Sequence, residues 1–403
     1  MLRPPGRVCG NVLGAVRFAV PTFAALLAGP WLVLAACSSP PAKPKEPLGA
    51  MPEVVTTAEP EWIPWSIRAG KPVDADPREK HLADLRQLTF GGENVAARWS
   101  ADGKKLVLEA TPKGAACSQV FVLDLGSGET KPVSTGGGKA VSGSFYPAGD
   151  RFLYASTRAA GGACPPRPER ARGDVRPLDE LDVYSAAADG SDARPLLASA
   201  AHDSETAVAP DASRLVFTST RDGDPELYTA NLDGTRVRRI TSAPGYDGAA
   251  AFSPDSSRLV WRASRPAGAE LDEHRALLAQ RLVRTGKTEI WIAGAEGQNA
   301  RPITSHGRTS LAPSFLPDSR RVIFASNIDA PPRGEAGGFD LYVVDPDGPV
   351  TATGGPAVER ITFAEGLDSA PAVSPDGRYL VFTSSRLGRE PGETNVFVAR
   401  WVP

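Results

Sequence analysis

A short apolar stretch, a Pro-Asp-Gly-like turn and a second apolar stretch recur six times along this chain. The copies read RWSADGKKLVLEA (from Arg98), SFYPAGDRFLYAS (Ser144), AVAPDASRLVFTS (Ala207), AFSPDSSRLVWRA (Ala251), SFLPDSRRVIFAS (Ser314) and AVSPDGRYLVFTS (Ala372). Proline presets φ, aspartate bonds the backbone ahead, and Gly or Ser permits the reversal, so each copy encodes a hairpin. Hairpins repeated at roughly 40 to 60 residues specify a propeller or a similar array.

Two more strands follow each hairpin. The third carries a recurring aromatic: QVFVLDL (Gln119), LDVYSAA (Leu181), ELYTANL (Glu226), EIWIAGA (Glu289), DLYVVDP (Asp340) and NVFVARW (Asn395). Turns such as Asp189-Gly190 and Asp233-Gly234 then lead to fourth strands, RRIT at Arg238 and RPIT at Arg301, with looser versions at Lys131, Arg194 and Glu359. The last third strand, from Asn395, has no fourth strand after it. LRQLTF (Leu85 to Phe90) matches RRIT ahead of the first hairpin and is expected to pair there. The fold class is therefore all-β: a six-bladed propeller of four-stranded antiparallel blades over residues 82–403, closed by its N-terminal strand so that no long edge is exposed. The 40 glycines and 38 prolines suit so many tight turns.

Ahead of the repeats, Arg3, Arg7 and Arg17 precede an apolar stretch, Phe18 to Ala36, that ends Leu34-Ala35-Ala36-Cys37. Charged-then-apolar order is an export pattern. The small residues before cysteine resemble the bacterial lipoprotein signal, which implies cleavage after residue 36 and lipidation of Cys37. An uncleaved membrane anchor is the alternative. Ser38, where an aspartate would retain a lipoprotein, implies an outer-membrane destination facing the periplasm. Residues 37–81, rich in Pro and Ala, read as a tether. Loss of the three arginines with the signal would take the formal charge from −2 to −5, which disfavours nucleic acid as a partner. Of four cysteines, Cys117 and Cys164 would remain in the propeller, either as a disulfide or as two separate thiols.

With the strands placed, the Pro-Asp-Gly turns, the Asp-Gly turns before RxIT and the phrase TSTRDGDPELYTANLDG from Thr218 resemble the TolB-type β-propeller repeat family, a WD-repeat-like group of bacterial envelope proteins. The resemblance implies protein binding in the envelope. It also marks a departure. TolB carries an α/β domain before its propeller, whereas only some 45 residues lie between Cys37 and His81, so the chain reads as a propeller-only, lipid-anchored relative.

In a four-strand meander the loops joining strands two and three emerge beside the interblade loops, opposite the short hairpins. Two long insertions, about Thr157 to Glu180 and Ser264 to Lys287, therefore share one face. The second has Leu271, Leu278 and Leu282 at helical spacing. Decorated loops on a rigid ring commonly carry function, so this face is the expected binding surface, although the helix could instead cap a blade edge. Its interblade loops supply Glu93, Asn94, His202, Asp203, Glu205, Tyr246, Asp247, His306, Arg308 and Asp368 as channel-mouth candidates. Asp203, Asp247 and Asp368 occupy one repeat position. They could form an acidic ring for a cationic peptide or a hard cation, or each could hold its own loop. Arg158, Arg221, Arg265 and Arg386, which follow second strands, read as structural ion-pair partners.

Catalytic signatures are missing: no GxSxG elbow, no HExxH, and a Gly136-Gly137-Gly138-Lys139 run without P-loop spacing. His202-Asp203-x-Glu205 is a weak metal pattern. The expected protein is a non-catalytic, monomeric envelope scaffold that needs no cofactor, binds a protein or peptide at the insertion-bearing face, and meets the membrane only through its lipid. A small-molecule or hydrolytic site in the channel is the alternative.

Overall fold

Each copy of the repeat folds as the inner hairpin of one antiparallel sheet. In five of the six, the turn aspartate accepts the backbone N–H two residues on, as Asp102 does from Lys104 (3.0 Å) and Asp211 from Ser213 (2.9 Å). The computed structural model describes residues 67, 70–134, 137–166, 168–169, 173–330, 338–349, 351 and 355–403. The chain divides into residues 1–60 and 61–403, and all described residues lie in the second unit. The expected signal peptide, Cys37 and most of the expected tether lie outside the described residues, as do Arg167, Arg170 and Arg172 of the blade-two insertion.

Six sheets make six blades. Their innermost strands are Glu93–Trp99, Ala140–Phe145, Asp203–Val208, Asp247–Phe252, Ser310–Phe315 and Asp368–Val373. The sixth sheet also takes Leu82–Gln87 beside Asn395–Trp401, with Leu82 opposite Trp401 and Gln87 opposite Phe397. Lys71–Pro72 adds a fifth short strand outside it. Residues 71–81 thus pack on blade six rather than serving as tether, and Glu79 is buried there against Arg386 (3.0 Å).

Neighbouring blades are joined by apolar packing and by a backbone hydrogen bond at the start of each innermost strand, such as Asp203 N–H to Leu181 O (2.9 Å) and Asp247 N–H to Pro225 O (2.9 Å). Each of six core clusters draws on two adjacent blades. One joins Val216 and Leu227 of blade three to Phe252, Leu259 and Trp261 of blade four; another joins Leu106 and Leu108 of blade one to Val381 and Val396 of blade six. The recurring aromatics pair directly across strands two and three: Tyr154 with Tyr184, Phe217 with Tyr228, Trp261 with Trp291, Phe324 with Tyr342 and Phe382 with Phe397.

The two insertions meet. Val175–Pro177 and Leu282–Arg284 form a separate antiparallel ribbon, with Val283 opposite Arg176. The helix covers Ala269–Leu278, so Leu282, expected on its face, belongs to the ribbon instead. Val175, Leu277 and Leu282 pack together, and Leu178 and Val283 cover Tyr246. Cys117 and Cys164 are joined as a disulfide that ties the blade-two insertion to blade one.

Candidate functional site

Every innermost strand carries a bulge at the same place. The bulged residue has positive φ: Ala96 (55°), Ser142 (60°), Glu205 (53°), Ala249 (52°), Ala312 (49°) and Ala370 (49°). A bulge leaves one residue unpaired and re-aims its neighbours. In four blades the freed N–H reaches the preceding blade: Ala96 to Thr383 Oγ1 (3.1 Å), Ser142 to Glu109 Oε1 (2.7 Å), Glu205 to Ser142 Oγ (3.1 Å) and Ala249 to Glu205 Oε2 (2.7 Å). The channel wall is thereby stitched together by side chains.

From this level to the Pro-Asp turns runs a central cavity of about 710 Å³. All six innermost strands line it, and Ala101, Pro147, Pro210, Pro254, Pro317 and Pro375 form its rim. Its walls are mainly small or apolar. Four charged side chains border it: Arg98 and Glu109 from blade one, Glu205 from blade three and Arg262 from blade four. The cavity opens on the hairpin face, not on the insertion-bearing face expected from loop length.

Glu205 is the most heavily partnered of the four. Its carboxylate accepts from Tyr246 OH (2.6 Å), Ala249 N–H (2.7 Å), Thr218 Oγ1 (2.9 Å) and the Arg262 guanidinium (3.0 Å). Burial alone would raise its pKa, but Arg262 and these donors outweigh it and hold the carboxyl below its ordinary range. Tyr246, whose ring lies under Arg262, has its hydroxyl pushed far up by burial. Among the described residues, the Arg98 guanidinium makes one hydrogen bond, across the channel to Thr206 O (2.9 Å), and the Glu109 carboxylate accepts one, from the Ser142 N–H (2.7 Å). Burial lowers the pKa of Arg98 and raises that of Glu109, the expected directions for charges short of partners.

Of the sequence candidates, Glu205 alone lines the cavity. Asp203, Asp247 and Asp368 are fully buried ion-pair partners rather than an exposed acidic ring. Asp203 binds Arg221 (3.1 Å), Asp247 binds Arg265 (2.8 Å) and Trp261 Nε1 (2.7 Å), and Asp368 binds Arg386 (2.7 Å). Each arginine also lies over an aromatic ring of its own blade, at 5.1 Å for Phe217, 4.7 Å for Trp291 and 5.2 Å for Phe382. Arg158 has Ala140 where the others have aspartate, and covers Tyr184 instead.

The remaining candidates are structural or lie in the loops. Asn94 ties blade one to Thr394 and Asn395 of blade six. The His202 ring contacts Asp179 O (2.9 Å) and Ser204 Oγ (2.7 Å), and burial lowers its pKa, keeping it neutral. Tyr246 is buried beneath the insertion ribbon. Glu93 and His306 are exposed, and neither they nor Arg308 border the cavity. Lys139 pairs with Asp179 (2.9 Å), so the blade-two insertion is fastened down on this side. Among the described residues, no group of three or more His, Cys, Asp or Glu could hold a metal ion.

Sequence reasoning missed Arg98, Glu109 and Arg262, yet a signal was present. Aligned, the repeats read Arg98, Ser144, Ala207, Ala251, Ser314 and Ala372 in one column. The column of Glu109 and Arg262 otherwise holds Ala155, Thr218, Ala325 and Thr383. Large charged residues that break columns of small ones mark the channel.

These features define a six-bladed β-propeller with a one-sided, charged central cavity. No family model matches the chain. Over 140 residues it is 28% identical to the TolB homologue of Chlorobium luteolum, covering 26% of this chain and 30% of that protein. Over 148 residues it is 31% identical to the Tol-Pal system protein TolB of Bordetella pertussis, covering 28% and 32%. The chain thus spans about a third of the length of these curated relatives. Among solved structures it is similar to the putative TolB of Agrobacterium tumefaciens (18% identical, TM-score 0.48, 77% of this chain and 91% of that one). An oligogalacturonate lyase of Vibrio parahaemolyticus is also similar (13%, TM-score 0.46, 83% and 98%). Over about a quarter of its length the chain is thus similar to TolB proteins, within the propeller repeats.

Proposed function

We propose that this chain is a non-catalytic, lipid-anchored scaffold of a bacterial envelope, and that it takes a protein or peptide segment into the central channel from the hairpin face. The observation that carries this reading is the 710 Å³ cavity, apolar at its proline rim and charged at its floor. Concave, mostly apolar sites with a few placed polar groups are the usual form of a binding site. The Bordetella relative's name, a Tol-Pal system protein, supports an envelope role. The cavity hydroxyls of Ser142 and Ser144 have no histidine beside them, which favours binding over hydrolysis. Ser314 faces the same cavity from the Arg98 column, so Ser314→Trp would fill it. Affinity capture from envelope extracts should recover a partner with wild type and with His306→Ala/Arg308→Ala, and lose it with Ser314→Trp. Loss only in the double variant would return the function to the insertion-bearing face. Anchoring is tested by Cys37→Ser, which should abolish acyl labelling and processing.

A further inference from the structure

Three of the four charges at the cavity floor have different standing from the fourth. Glu205 and Arg262 neutralise one another at 3.0 Å. Glu109 keeps one carboxylate oxygen for the Ser142 N–H. Arg98 spends one N–H on the Thr206 carbonyl and, among the described residues, has no carboxylate within ion-pair reach. A guanidinium offers five N–H donors in a planar fork, so half-buried Arg98 keeps donors to spare at the cavity wall. The walls from blades five and six, with Leu311, Pro313, Ala370 and Pro371, are apolar, whereas the wall that Arg98 reaches across the channel carries the paired Glu205 and Arg262.

Resting on the peptide-binding reading above, we propose that the channel floor is a carboxylate site, in which Arg98 receives the carboxylate of a linear peptide that enters past the proline rim. Fork-to-carboxylate pairing supplies two parallel charge-assisted hydrogen bonds, stronger in a partly enclosed cavity than on an open surface. The carboxylate can be a chain terminus or an acidic side chain. Glu109 sets the sign: ionised, it repels the incoming anion, so the site favours a ligand whose charge Arg98 can meet first.

The probes are acetyl-Ala-Ala-Pro-Phe with a free terminus, the same peptide amidated, and acetyl-Ala-Ala-Glu-Phe amide, measured by calorimetry on the folded chain at pH 7.5. The free acid should bind at least ten-fold tighter than the amide, and Arg98→Gln should erase that difference with the melting cooperative. The Glu-containing amide binding tighter than the free acid would identify a side chain, rather than a terminus, as the carboxylate source. Because Arg98→Gln could disturb the fold through Thr206, Glu109→Gln serves as the second variant. It keeps the acceptor for Ser142 and should tighten the free acid several-fold. Equal binding of acid and amide, no binding of either, or equal weakening by Glu109→Gln and Arg98→Gln would overturn the carboxylate site. Partner capture lost in Ser314→Trp but indifferent to Arg98→Gln would do so too, while leaving the channel reading intact.

Discussion

Asp247 shows what the repeated aspartates do. Its carboxylate takes both guanidinium nitrogens of Arg265 at 2.8 Å and the Trp261 indole N–H at 2.7 Å, with no exposed surface. Removing one charge from a buried pair strands the other and costs about 3–5 kcal/mol, a large share of an ordinary domain's stability. Asp247→Asn should therefore lower the midpoint of chemical denaturation by an amount worth about 3 kcal/mol, and Asp203→Asn and Asp368→Asn should act in the same direction. Partner capture by whatever remains folded should be unchanged; an unaltered midpoint would remove the ion pair from the account. Glu226 gives a pH signature. Burial pushes its carboxyl from 4.5 up to about 7, against hydrogen bonds from Thr241 and Arg239. The folded chain then holds this proton more tightly than the unfolded one, so its contribution to stability is complete below about pH 4.5 and fades as pH rises through 7. Melting of wild type minus Glu226→Gln should fall across that interval, and a flat difference would contradict the shift.

At the level of elements, the hairpins were legible because their turns need particular residues: Pro, Asp and Gly act locally, whatever the rest of the chain does. The bulges were not, since Ala, Ser and Glu at positive φ carry no sequence mark; tertiary demand at the channel imposes them. The insertion ribbon was equally hidden. Val175–Pro177 and Leu282–Arg284 lie about a hundred residues apart, and only the closed ring brings them together. For that reason the long loops looked like a working surface, while in the structure they cover Tyr246 and are fastened by Lys139–Asp179 and by Cys117–Cys164. The disulfide closes a sequence separation of 47 residues, worth about 4 kcal/mol in the chain-entropy model. Cys117→Ser/Cys164→Ser should melt at a distinctly lower temperature, and reductant should lower wild type to the same value while leaving the variant alone. A variant as stable as wild type would show the insertion to be held without it.

Across the whole propeller, the two faces divide the labour. One carries buried Asp–Arg–aromatic stacks and interlocked insertions that hold the ring; the other opens a proline-rimmed channel onto Arg98, Glu109, Glu205 and Arg262. The blade count was readable from the repeats, but the face on which the central cavity opens was not, because loop length reports where residues were added and not which surface stays open. The most direct test places a photo-crosslinking residue at Ala101 on the rim of the channel, or at Arg308 on the insertion-bearing face, in living cells. The account predicts a discrete adduct from position 101 and none from 308. An adduct from 308 with none from 101 would contradict it.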